Sequence, residues 1–355
     1  MRRKRFSPRT PPGCSDYDRR DLMQRLGWGV IGIGNIVQGT IAPAMLAEPE
    51  CDLVAAVSRD QGRADDFAAE FGARYAYASY EEMLANPEVE AVFIATPNAL
   101  HADQVVAAAS ADKHVLCDKP LAINVADAAS ALKACNDAGV KLGINFHYRH
   151  LPWVQDLTRI IGDGAIGEVK VIHLEVGSGT RHYDNWRADP EMAGLGSVHN
   201  VGVHGLDFLR VILDSEPVEV VAMMDHAPGS GSVEMLALIM LRFDNGAIVY
   251  CNLNETLPNP QNDISIYGSA GRILGRAFTR SRSDGELAVL SQDGETLTGY
   301  PAPEAHRMSV AAFTKAVLND DKPNASGLDG LRSAQVCEAI RRSAKERRLV
   351  AVRYG

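Results

Sequence analysis

Long apolar runs are missing from this chain of 355 residues. None reaches the roughly 20 residues that a bilayer-spanning helix needs. No apolar h-region follows the basic start Met1-Arg2-Arg3-Lys4-Arg5, so a secretory signal peptide is not predicted. The six cysteines (Cys14, Cys51, Cys117, Cys135, Cys251 and Cys337) form no CxxC pair and no zinc-finger spacing. Cys51, Cys117 and Cys251 sit beside or within apolar runs, which predicts buried free thiols and a reducing, cytoplasmic location. There is no HExxH and no compact carboxylate cluster, so no metal is expected. There is no excess of positive charge either. Against 36 Lys and Arg stand 45 Asp and Glu, a net charge of −9, which argues against a general nucleic-acid or membrane-surface binder. No internal repeat is visible.

The length suits two domains, and a hydrophobic share of 46% suits a sizeable core. Residues 1–25, basic and then rich in proline, are expected to be a disordered leader, with Met23 as an alternative start. Folding is expected to begin at Leu26. From there, short apolar runs alternate with helical stretches: Trp28–Ile31, Leu53–Val57, Glu90–Ala95, His114–Cys117 and Lys141–Asn145 read as strands. The helices between them run to about Ala47, over Arg63–Phe71, over Ala102–Ala109 and over Ala126–Ala138. This alternation predicts an α/β fold, with a doubly wound parallel sheet over residues 26–147. The pattern then changes. A helix over Leu151–Ile161 precedes strands at Val169–Val176, Val218–Met224, Met235–Phe243, Ala247–Leu253 and Asp263–Tyr267. Late helices follow at Ser309–Leu318 and Leu328–Lys345. Residues 148–355 therefore read as a second α/β domain with a mostly antiparallel sheet, whose late helices could pack back on the first domain.

Gly32-Ile33-Gly34-Asn35-Ile36 follows the first strand and opens a helix, the context in which Gly-x-Gly has meaning. The first glycine allows a tight turn. The second lets backbone approach a diphosphate seated on the helix N-terminus. A dinucleotide is thus expected on Gly32, Gly34, Asn35 and Ile36. The third fingerprint position is Val37 rather than Gly or Ala. The second strand ends at Ser58-Arg59-Asp60. A hydroxyl and a guanidinium suit a 2′-phosphate, which favours NADP; Asp60 keeps NAD open.

Asp118-Lys119-Pro120 ends a buried strand, so Lys119 points into the crevice where open α/β sheets bind ligands. Asn200, His204 and Asp207, spaced i, i+4 and i+7, fall on one face of a helix whose other positions are largely apolar. Two readings of His204 compete: a core histidine bonded to Asp207, or a general acid/base that takes a hydroxyl proton. His199 and His204 are five apart and diverge around the helix. Tyr148 and Arg149 lie where the domains should meet, as substrate contacts or as interdomain structure.

With Ala95-Thr96-Pro97-Asn98, Asn145 to Arg149, Trp186-Arg187 and Gly194-Leu195-Gly196 added to these motifs, the chain from Leu26 onward resembles the Gfo/Idh/MocA oxidoreductases. The resemblance implies a hydride transfer between NAD(P) and a secondary alcohol or carbonyl of a sugar, polyol or related compound. It implies that Thr96, Pro97, Asn98 and His101 line the cofactor. Asp118 and Lys119 would sit near the nicotinamide ribose, and Trp186 and Arg187 would reach over the nicotinamide. Lys119, His204 and Asn200 would be catalytic. Tyr148, Arg149, Asn200 and His204 would face substrate. The family commonly has Asp where Asn200 stands, although some sugar-oxidising relatives carry Asn, and this departure leaves the substrate class open. The resemblance further implies a homodimer or homotetramer joined through the C-terminal sheet. Two other outcomes known in such families are a glycosidase using tightly held NAD, and a cofactor-binding regulator without catalysis.

Overall fold

The computed structural model describes residues 24–226, 229, 231–278 and 284–355. Residues 1–23, and with them most of the expected leader and Cys14, lie outside the described residues. The first unit alternates β1 (Leu26–Ile31), a π-helical turn (Val37–Ile41) that runs into α1 (Ala42–Ala47), β2 (Cys51–Val57), α2 (Gln61–Phe71), β3 (Tyr75–Tyr77), α3 (Tyr80–Leu84) and β4 (Ala91–Ile94). It continues through α4 (His101–Ser110), β5 (His114–Cys117), α5 (Val125–Ala138) and β6 (Leu142–Ile144). All neighbouring strands pair in parallel, in the order β3-β2-β1-β4-β5-β6. The order reverses between β1 and β4, the position where such sheets bind ligands. The helix ends follow local chemistry. Asp60 and Asn124 accept from backbone N–H groups as N-caps, and Gly72 and Gly139 take the left-handed conformation that ends α2 and α5. The short β3 and α3 carry too few apolar residues to be read in advance.

The second unit contains α6 (Pro152–Gly162), β7 (Val169–Gly177), α7 (Pro190–Ala193), a π-helical turn (Val198–Gly202) leading into α8 (Val203–Leu213), and the strands β8 (Pro217–Met224), β9 (Leu236–Phe243), β10 (Ile248–Asn254) and β11 (Ile264–Gly268). The strands β12 (Arg272–Arg276), β13 (Gly285–Ser291) and β14 (Gly294–Tyr300), the helices α9 (Ala305–Leu318) and α10 (Gly327–Glu346), and β15 (Val350–Ala351) complete it. Nine strands form one sheet in the order β14-β13-β12-β11-β7-β10-β9-β8-β15, antiparallel except for the β7–β10 pair. This extends the expected strands by β12 to β15, which are mixed in polarity and lack a long apolar run. Phe313 of α9 packs on Trp28 of β1, with ring centroids 5.6 Å apart. Among the described residues, no helix is long and apolar enough to cross a membrane, and the five described cysteines are buried free thiols.

Candidate active site

Gly32 turns the chain out of β1 with φ +91°, and a Cβ there would lie 2.8 Å from the Ala95 carbonyl oxygen. The position therefore requires glycine. A Cβ on Gly34 would meet nothing within 4 Å, so the helix start is open to a ligand. The first N–H groups of a helix have no carbonyl behind them, and they favour an anion. These features fit a dinucleotide diphosphate. Val37 is buried and begins the π-helical turn, a wider entry into the helix than the usual small residue accompanies. At the end of β2, Asp60 is spent on capping α2. Arg59 is exposed and makes no ion pair among the described residues.

The β4 and β5 loops are tied together. Thr96 donates to Gln104 at 2.6 Å. The buried His101 ring lies between the Pro120 carbonyl oxygen, 2.7 Å from Nδ1, and the Thr96 carbonyl oxygen, 2.8 Å from Nε2. Its two nitrogens are thus taken by backbone, which makes His101 a brace beneath the crevice. Asn98 donates to the Ala193 carbonyl at 3.0 Å and joins this loop to α7 in the second unit.

Lys119 is half-buried and donates from Nζ to the backbone carbonyl of Asn200 at 2.5 Å. The contact carries the end of β5 to the π-helical turn before α8. Burial lowers the Lys119 amine below the usual lysine range. Asp118 and Glu255 pull it back up, while Arg187 pushes it down. Arg187 lies over the Trp186 ring, 4.4 Å from its centroid. The Asn200 side chain donates to Glu255 Oε1 at 2.5 Å and to the Tyr183 hydroxyl at 2.9 Å.

His204 is buried, and its Nδ1 has no hydrogen-bond partner among the described residues. The Tyr148 ring stacks on it at 4.8 Å, and the His147 ring meets it edge-on at 4.3 Å; His306 lies 3.9 Å beyond His147. Burial, with Lys119 and His306 adding like charge, drives the His204 imidazole well below its usual range. It is therefore neutral at neutral pH, with a lone pair free to accept a proton. No group of His, Cys, Asp or Glu side chains among the described residues is arranged to hold a metal ion.

One of the two readings of His204 is corrected: it is not bonded to Asp207. Both Asp207 oxygens accept from Arg149, each at 2.7 Å. Arg149 also pairs with Asp329 at 2.8 Å and donates to the Asn324 carbonyl at 2.6 Å. Of its two expected roles, the geometry matches the structural one. Tyr148 covers His204 and remains beside the site. Tyr183, Glu255 and His306 were not singled out from sequence. The nearest signal is the polar pair Asn254-Glu255 at the end of an apolar strand, which is too common to carry weight alone.

A family model described as "Oxidoreductase family, NAD-binding Rossmann fold" matches residues 26–146, and the "GFO/IDH/MocA C-terminal domain" matches residues 154–274. The chain is 30% identical over 333 residues to a 1,5-anhydro-D-fructose reductase of Ensifer adhaerens, covering 92% of this chain and 99% of the relative. It is 31% identical over 323 residues to a D-xylose 1-dehydrogenase (NADP(+)) of Haloferax volcanii, covering 90% of this chain and 97% of the relative. Among solved structures, an aldose-aldose oxidoreductase from Caulobacter crescentus complexed with glycerol superposes with a TM-score of 0.84 at 28% identity. That match covers 92% of this chain and all of that one.

Proposed function

The chain belongs to the Gfo/Idh/MocA oxidoreductase family, and we propose that it is an NAD(P)-dependent dehydrogenase or reductase acting on a secondary alcohol or carbonyl of a sugar or polyol. The names of its relatives support the substrate class. The observation that carries the reading is the meeting of Lys119, from the cofactor-side sheet, with the helix that bears His204. Residues 26–147 hold the cofactor on this reading, and residues 148–355 supply the substrate side.

When bound, the nicotinamide exchanges a hydride with the carbon that bears the oxygen. Gly32, Gly34, Asn35 and Ile36 would hold the diphosphate. Ser58 and Arg59 would meet the adenosine ribose, and the free Arg59 favours NADP. Thr96, Pro97, Asn98, Asp118, Trp186 and Arg187 would border the nicotinamide. His101 acts beneath them by bracing the two loops. Lys119 polarises the substrate oxygen and stabilises an alkoxide. Neutral His204 takes the hydroxyl proton at its ring nitrogen. Asn200 orients a substrate hydroxyl, and Tyr148 holds the His204 ring.

The outer face of the nine-stranded sheet carries exposed Met223, Leu238, Met240, Tyr250, Tyr267 and Leu297. A contiguous apolar face of this kind fits a second copy of the chain.

The test is a panel of sugars and polyols with NADP+ or NAD+, followed by reduced-cofactor absorbance. Turnover is expected, and Lys119→Ala and His204→Asn should each lower kcat/KM by about 100-fold or more. Undiminished turnover in both variants would remove their catalytic roles. Glycoside cleavage without net cofactor consumption would replace the dehydrogenase reading. The same preparation, by light scattering, should be at least dimeric.

A further inference from the structure

Glu255 follows β10 and is 1% exposed, yet it is a carboxylate with no arginine or lysine bonded to it among the described residues. Its Oε1 accepts from three donors: Ser178 Oγ at 3.0 Å, Tyr183 OH at 2.7 Å and Asn200 Nδ2 at 2.5 Å. Its Oε2 is buried and has no hydrogen-bond partner among the described residues. Backbone fixes the residue on both sides. Its N–H donates to the Met235 carbonyl at 2.8 Å, and its carbonyl accepts from the Arg181 N–H at 2.8 Å. A buried charge held this firmly is costly unless its surroundings use it.

We propose that Glu255 is the positioning residue of the site: it fixes the amide of Asn200 so that Asn200 presents only its oxygen to substrate, and it supplies the negative charge of the Lys119–Asn200 pair. The inference rests on the oxidoreductase reading. An ionised carboxylate can only accept, so the Asn200 amide must turn Nδ2 toward it. The Tyr183 hydroxyl gives its proton to Glu255 and so accepts from the same Nδ2. Both amide hydrogens are thereby engaged. Asn200 Oδ1 then has no hydrogen-bond partner among the described residues and is an acceptor for a donor group. The substrate group at this position must donate, so the subsite takes a hydroxyl and rejects an ether or a carbonyl oxygen. The same residue couples this subsite to the amine, because the Asn200 carbonyl receives Lys119 while its side chain meets Glu255. Glu255 also favours the charged form of Lys119.

The experiment exchanges the two groups. Glu255→Gln removes the charge and frees the Asn200 amide to turn. Asn200→Asp sets two carboxylates against each other. The double variant restores one carboxylate and one amide with their places exchanged. Each single variant should lose about tenfold or more in kcat/KM, and the double variant should recover most of that loss. The pH dependence of Lys119 acetylation, read by mass spectrometry with cofactor bound, reports the same coupling without any substrate. Glu255→Gln should shift the Lys119 midpoint down, because an opposite charge is removed, and the double variant should return it. Losses that simply add in the double variant, or a Lys119 midpoint unmoved by Glu255→Gln, would overturn the assignment. A wild-type protein that turns over no alcohol would defeat the oxidoreductase reading, and the labelling midpoint would still decide the coupling. Thermal unfolding of all three variants separates misfolding from either result.

Discussion

His204 and Asp207 lie one turn apart on α8, and the protein keeps them in opposite ways. Asp207 is 1% exposed and fully matched: Arg149 grips both its oxygens, Arg210 lies 3.4 Å away, and Asp329 closes the network from α10. His204 is 6% exposed, and its Nδ1 has no hydrogen-bond partner among the described residues. It is surrounded by rings that cannot share a charge comfortably, His147 and His306 among them. A saturated ion network has no bond left to offer a ligand. A neutral imidazole with a vacant lone pair has one. Burial alone does not distinguish these two residues, whereas completeness of hydrogen bonding does.

The strongest way to break the comparison is at its saturated end. Asp207→Ala leaves the Arg149 guanidinium buried beside a single remaining carboxylate, Asp329. Removing one partner of a buried pair typically costs about 3–5 kcal/mol. Urea unfolding should therefore move to much lower denaturant. A change under about 1 kcal/mol would mean that the network relaxes into solvent and is not structural.

Acid should separate the two ends next. His150 and His199 are held down to about 4 by burial, with the like charge of Arg149 lowering the first further and that of Arg341 and Lys119 the second; His147 and His204 are also lowered. Their folded values lie below the unfolded value of 6.5, so the unfolded chain binds more protons on acidification. The stability they hold is complete above pH 6.5 and is lost as pH falls toward their folded values. Asp329 behaves differently. Burial raises it, but the Arg149 charge and hydrogen bond, together with hydrogen bonds from Ser326, outweigh burial and hold it below 3.8, so its contribution is lost only in stronger acid. Between pH 6.5 and 4 the loss should thus come from the histidines, at about 1.4 kcal/mol per pH unit for each one that must charge. Denaturant midpoints measured across this range should fall steadily. A flat profile would show that these imidazoles gain protons without unfolding.

Much of this was legible in the sequence, and what was not has physical reasons. The parallel sheet was readable because its central strands are short, buried apolar runs: β1 and β4 are fully buried, and β5 falls on His114–Cys117 as expected. The glycines of the cofactor loop were readable because turn geometry demands them. The outer strands were not, since β14 is exposed at every residue but its last, Tyr300, and has little apolar content. The helix carrying Asn200 and His204 was expected, but not the π-helical turn over Val198–Gly202 that separates their environments. That turn answers to tertiary contacts such as Lys119 on the Asn200 carbonyl, and no local pattern encodes it. Glu255 and His306 come from distant segments, and only the packed fold brings them to the helix.

The smallest expected effect lies outside the helix, at the far end of the crevice, where a residue is unsaturated in a different sense. Arg59 is exposed and unpaired among the described residues, while its neighbour Asp60 is committed to the α2 cap through the Arg63 N–H at 3.2 Å. By the rule drawn from His204 and Asp207, the unpaired group is the one available to a ligand. A guanidinium suits the dianionic 2′-phosphate of NADP and has no such partner on NAD. Arg59→Ala should then lower kcat/KM for NADP about tenfold, or about 1.4 kcal/mol, and leave NAD nearly unchanged. A preference between the two cofactors that does not move would mean that Arg59 is a solvated turn residue and that an unpaired surface charge, unlike an unpaired buried one, carries no functional signal here.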